Sequence, residues 1–148
     1  MIVNLFLNIK PTPLKRARTT VRGNFATTYY DAKAKAEMDE LRISILNALN
    51  KLDKETYDFI RERTLKEVPI GLSIQFGFDF PKSYSKKKCD ELINTPHTLL
   101  PDLDNLIKNV LDRGDGLLWK NDKTICYLDA SKSWRAQDYI SIEIKYYE

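Results

Sequence analysis

The chain has 148 residues, 43% of them hydrophobic and 30% charged, and a formal net charge of +3. That length and composition predict one domain, residues 1–148, with apolar side chain enough for a packed core, and exclude a disordered or collagen-like chain. Cys89 and Cys126 are the two cysteines, far apart and without a matching histidine pattern, which excludes a disulfide framework and a structural zinc site.

Val3, Leu5, Leu7 and Ile9 alternate with polar or outward residues and predict an N-terminal strand. The same stretch lacks the basic n-region of a signal peptide, and no window reaches the roughly 20 apolar residues of a membrane span. A soluble, cytoplasmic protein with no membrane partner is expected. Lys10 to Thr28 shows no apolar period and reads as a long loop. From Lys10 to Lys35 there are seven basic residues (Lys10, Lys15, Arg16, Arg18, Arg22, Lys33, Lys35) against one acidic residue, Asp31. Arginines of such a block suit phosphates, and Phe25, Tyr29 and Tyr30 beside them suit base stacking; a solvated basic loop is the plain alternative.

Thr28 is a fair N-cap for a long helix in which Ala34, Met38, Leu41, Ile45, Ala48 and Leu52 follow steps of three and four. Asp53 caps a shorter helix through Tyr57 and Ile60. Strict alternation from Val68 to Phe80 predicts a strand that buries one face and ends at Pro81. Lys82 to Lys88 follows as a polar loop, with Lys86, Lys87 and Lys88 as a second set of phosphate contacts or a solubilising surface. His97, in the next loop, reads as a loop or supporting residue rather than a general base, and Cys126 is assigned to the core.

Leu103, Leu106, Ile107, Val110 and Leu111 then carry helical spacing. Pro101 precedes them and Asp102 is a natural N-cap, so the helix should begin at Leu103. Residues two apart in a helix point to nearly opposite sides, but a cap residue lies outside that rule. Asp102 and Asp104 can therefore turn toward one cation, with Lys108 on the face of Asp104 one turn further along. The ordinary alternatives are a cap for Asp102, a surface ion pair for Asp104 and Lys108, and a turn residue for Asp122. Gly114-Asp115-Gly116 stops the helix, and the spacing lacks the later glycine and closing glutamate of a calcium loop. Thr124 to Leu128 and Tyr139 to Tyr146 predict a closing pair of strands, with Lys132, Trp134 and Arg135 in a loop between them that reaches DNA.

Asp102-Leu103-Asp104-Asn105-Leu106-x-Lys108, then Leu111-Asp112, a glycine-containing turn, Trp119 and Asn121-Asp122, resembles the RusA-type Holliday-junction resolvases in residues and in spacing. These are small endonucleases common in phages and prophages. The chain departs from the family in carrying Leu99, Leu100 and Pro101 where basic residues often precede the first aspartate, and Asn121 where a second acid often stands.

The resemblance implies an α+β fold, a small mixed β-sheet packed by the long helix and the motif helix. It also implies Asp102, Asp104 and Asp122 as ligands of Mg2+, with Mn2+ as a substitute, and Lys108 as the essential lysine, working in a bacterial cell. The implied partners are a four-way DNA junction and a second copy of the chain in a homodimer. Asn105 is assigned to orienting a carboxylate or a water, and Lys15, Arg16, Arg18, Arg22, Lys86, Lys87 and Lys88 to DNA. Two other classes stay open: a non-catalytic basic DNA-binding module, and a magnesium nuclease acting on forks, flaps or RNA.

Overall fold

A computed structural model describes all 148 residues. Its strands are β1 (Ile2–Leu7), β2 (Arg18–Arg22), β3 (Phe25–Tyr29), β4 (Ile70–Phe78), β5 (Ile125–Trp134) and β6 (Tyr139–Tyr146); its helices are α1 (Ala32–Asn50), α2 (Lys54–Leu65), α3 (Lys86–Leu92) and α4 (Leu103–Gly114). Four strands form one mixed sheet in the order β1-β6-β4-β5, and β2 pairs only with β3 in a separate hairpin. The fold is α+β, as the resemblance implies.

Alternation decides the sheet's buried face. Val3, Leu5 and Leu7 of β1, Ile140, Ile142, Ile144 and Tyr146 of β6, and Leu72, Ile74, Phe76 and Phe78 of β4 are all buried. Against them lie the helical stripes Ala34, Met38, Leu41, Ile45 and Leu49 of α1 and Leu106 and Val110 of α4. Removing one such side chain from water stabilises the fold by about 1.5–3 kcal/mol. Because side chains at steps of three and four share one face, α1 and α4 can each cover the sheet only along that stripe, and their polar faces turn outward.

Several sequence expectations are corrected. Asp31, not Thr28, caps α1, its Oδ1 accepting from the Ala34 N–H at 2.8 Å. The expected loop from Lys10 to Thr28 holds the β2–β3 hairpin, turned at Gly23 and Asn24 with Gly23 at a φ of 60°, the left-handed backbone that such short turns need. Within the expected loop from Lys82 to Lys88, Ser85 Oγ accepts from the Lys88 N–H and starts α3.

The last two strands are not a pair: β5 runs parallel to β4 on one side and β6 antiparallel to it on the other. The short link between them hops over the end of β4, where Arg135 donates its N–H to the Phe78 carbonyl and Asp79 donates its own to Asp138. Cys126 is exposed on the edge strand β5, not in the core. Trp134 is buried, stacked on Phe80 at 5.2 Å, and does not reach outward to DNA.

His97 belongs to the same aromatic cluster, its ring 4.3 Å from those of Phe78 and Trp134. Burial, then the nearby Lys132 charge, pushes its pKa below the ordinary 6.5. Between the two values the unfolded chain binds more protons than the folded one. Stability is therefore complete above about pH 6.5 and is lost as the pH falls through the lowered folded value. Urea midpoints of the native chain should fall across that window, and His97→Phe should flatten that part of the profile; an unchanged slope would contradict the assignment.

Gly114 ends α4 against the indole of Trp119, which is fully buried. A Cβ at Gly114 would lie 2.3 Å from the ring. Gly114→Ala should therefore destabilise the chain by about 1–3 kcal/mol, the usual cost of overpacking, as read by urea denaturation. An unchanged midpoint would show that the ring can move aside.

Candidate active site

Asp102 sits as N-cap of α4 with an extended backbone, φ −66° and ψ 140°, yet its side chain makes no capping hydrogen bond. The carboxylate is left free. Asp104 follows in the first turn, and it forms no ion pair with Lys108 one turn along the same face. The ordinary alternatives for these residues, a cap and a surface pair, are thus not the arrangement found. All three side chains belong to exposed residues.

The loop that delivers Asp102 is held from β5. Lys132 donates from Nζ to the carbonyls of Pro101, at 2.8 Å, and Leu99, while the His97 N–H donates to the Lys132 carbonyl. Lys132, expected to touch DNA, instead uses its ammonium on this loop. Such a role has no signature in the sequence, because the residues involved are 31 and 33 positions apart.

A second tether lies across α4. The Leu14 N–H donates to the Asn105 carbonyl at 3.0 Å, and buried Asn109 donates from Nδ2 to the Thr12 carbonyl at 2.9 Å. These bonds lay the basic N-terminal segment over the start of the motif helix. The result is an open cleft of about 440 Å³ in which Asp102 and Asn105 face Lys10, Lys15 and Glu37. Glu37 comes from α1 and was not anticipated; its Oε2 is buried without a hydrogen-bond partner and lies 3.7 Å from Lys15 Nζ.

Lys15 also borders the next depression, with Arg16, Arg18 and Lys33, so positive charge runs on from the aspartate cleft toward the hairpin that carries Arg22. Arg18 is paired with Asp31 at 3.2 Å. Lys86, Lys87 and Lys88 open α3, and Lys88 Nζ lies 3.8 Å from the centre of the Tyr84 ring. Tyr84 packs on Trp134 at the end of β5, the end that also holds the Asp102 loop.

Asp122 is placed differently. It begins a 3-10 turn, Asp122–Thr124, beyond the far end of α4. There Arg42 of α1 donates to the carbonyls of Arg113 and Asp115 at 3.1 and 3.2 Å, closing the helix C-terminus with positive charge. Asp115 accepts from Trp119 Nε1 at 3.0 Å. Burial raises the Asp115 carboxyl above the ordinary range; the Trp119 N–H opposes this, and the charges of Asp122 and Asp112 add to the rise. Asp122 thus neighbours Asp115, the C-cap of a 12-residue helix whose N-cap is Asp102. A helix of that length spans about 18 Å. Asp102 and Asp104 share the N-terminal end of α4, Asp122 lies by its C-terminal end, and no group of three or more acidic, histidine or cysteine side chains converges in metal-holding geometry.

Hard oxygen donors are the chemistry of a magnesium site, and a free cap carboxylate over an open cleft beside an unsatisfied glutamate oxygen fits such an ion. No helix is long and apolar enough to cross a membrane.

Comparison with known proteins bears on the same residues. The model of the family described as endodeoxyribonuclease RusA matches residues 8–145, which includes both ends of α4, the basic segment and every strand of the sheet except β1 and the last residue of β6. The chain is also 28% identical over 90 residues to the uncharacterised protein YqaN of Bacillus subtilis (strain 168), a match covering 57% of this chain and 63% of that protein. With the motif, its setting and a family match over nearly the whole length in agreement, the chain belongs to the RusA endodeoxyribonuclease family.

Proposed function

We propose that the chain is a magnesium-dependent endonuclease that resolves four-way DNA junctions by paired symmetric nicks, acting as a homodimer. The observation that carries this reading is the uncapped Asp102 beside Asp104, set in a cleft bordered by Lys10 and Lys15. A cap that leaves its carboxylate unused gives up a stabilising bond of about 1 kcal/mol, which makes sense where the group has another task.

The distance to Asp122 supports the dimer. About 18 Å separates the ends of α4, so Asp122 cannot join Asp102 and Asp104 within one chain. Two copies related by a two-fold axis, with their α4 helices antiparallel, would set Asp122 of the partner subunit beside Asp102 and Asp104, twice over. Two equivalent sites are what two symmetric nicks require.

Magnesium bound there, or manganese in its stead, would supply an activated water and relieve the charge of the scissile phosphate. The protein's own groups do the rest. Asp102 and Asp104 hold the ion, Asn105 orients a carboxylate or water, and Lys108 places positive charge against the phosphate as negative charge grows. Lys10, Lys15, Arg16, Arg22, Lys86 and Lys87 draw in the backbone, so binding should weaken steeply with salt.

The test is cleavage of a synthetic mobile junction in magnesium, calcium or EDTA. Paired nicks should appear in magnesium alone, and Asp102→Asn should lower the rate at least about a hundredfold while keeping junction affinity in calcium. Junction binding without a nick under any condition would identify a non-catalytic DNA-binding module. Equal cutting of forks, flaps, duplex and RNA would identify a broad nuclease.

A further inference from the structure

The β2–β3 hairpin has a sidedness that the catalytic reading does not use. Its register sets Arg18 opposite Tyr29, Thr20 opposite Thr27 and Arg22 opposite Phe25. Because strand side chains alternate, these six share one face, and Thr19, Val21, Ala26 and Thr28 share the other. Both arginines and both rings are therefore on one side, and the other side carries neither charge nor ring. The hairpin has no carboxylate of its own, and all ten of its strand residues are exposed. Its one substantial packing contact between elements is that of β2 with β3.

Phe25 is 80% exposed beside the two-residue turn, at the tip of the arm. An isolated hairpin with nothing buried gains little from its own packing, so a phenyl ring at its tip is placed for a surface outside the chain. The neighbouring side chain is Arg22, which has no ion-pair partner, whereas Arg18 at the root is tied to Asp31. A fixed cation at the root and a free one beside the ring lie about 13 Å apart along one strand. That pattern complements a nucleic-acid backbone with an accessible base at its end, not an apolar protein surface.

We propose that this hairpin is a wedge: Phe25 enters the branch point of the junction and takes the place of a stacked base, while Arg22 and Arg18 hold the flanking phosphates. The proposal rests on the junction-resolving reading and adds how the substrate is told from plain duplex. A continuous duplex gives the ring no gap to enter, whereas a branch point already has interrupted stacking, so opening it costs least there.

The test uses the full-length chain in calcium with a four-way junction carrying 2-aminopurine at the crossover, whose fluorescence rises when the base is unstacked. The native chain should raise the signal, and Phe25→Trp should keep the rise. Phe25→Ala should abolish it and weaken junction affinity at least about tenfold, the loss of one base–aromatic stack, with linear-duplex affinity unchanged. A rise in Phe25→Ala equal to that of the native chain overturns the wedge. So does a Phe25→Ala chain that changes its sedimentation from dimer to monomer, because the ring would then belong to a subunit contact. If the native chain nicks junctions in magnesium without opening them, the wedge alone fails; if it binds no junction at all, the resolving reading fails and takes the wedge with it.

Discussion

The length of α4 is the constraint on which the rest of the site depends. Twelve residues of regular helix form a stiff spacer, with Asp102 at one end and Asp115, the neighbour of Asp122, at the other. Bending it enough to bring both ends to one ion would break backbone hydrogen bonds and expose Leu106 and Val110, which seal the core. The geometry of a single buried helix thus turns a question of chemistry into one of assembly. In the proposed reading, three aspartates that work together do so across two chains.

Each end of that spacer is held by a different device. At the N-terminus, the ammonium of Lys132 and the backbone of Thr12 and Leu14 grip the cap loop and the first turns from two sides. At the C-terminus, Arg42 satisfies the free carbonyls, and Trp119 fills the space that Gly114 leaves open. These contacts use side chains and carbonyls from α1, β5 and the N-terminal segment, which explains why a short motif needs nearly the whole chain around it. The tether across Asn105 and Asn109 also roots the basic segment beside Asp102, so that positive charge and the free carboxylate share one surface.

Where side chains are buried, the sequence was a good guide. The stripes of α1 and α4 and the alternation of β1, β4 and β6 each follow from a face that must meet the core, and each was legible as a period. β2 and β3 escaped because they form a free-standing hairpin, and β5 was read only over its first residues, to Leu128. With so little buried on either side, no alternation is imposed on them, and only threonine and valine content around Gly23-Asn24 marked the hairpin. Trp134 was misplaced for a related reason: its neighbours are polar, while the rings that bury it, Phe80, Tyr84 and His97, come from earlier in the chain. The motif residues themselves were legible by type and spacing. Their separation was not, since proximity in sequence says nothing about which end of a helix a later turn returns to, and Glu37 joined the cleft only through the packing of α1 on α4.

Subunit mixing tests the shared site most directly. Asp102→Asn and Asp122→Asn chains, each inactive alone, would be mixed, allowed to exchange and assayed on a four-way junction in magnesium. With sites shared between subunits, a mixed dimer has one site carrying both substitutions and one carrying neither, so nicking of a single strand should return. If instead each chain held its own three aspartates, every site in the mixture would carry a substitution. A mixture as inactive as its parents, with exchange confirmed, would contradict the shared site.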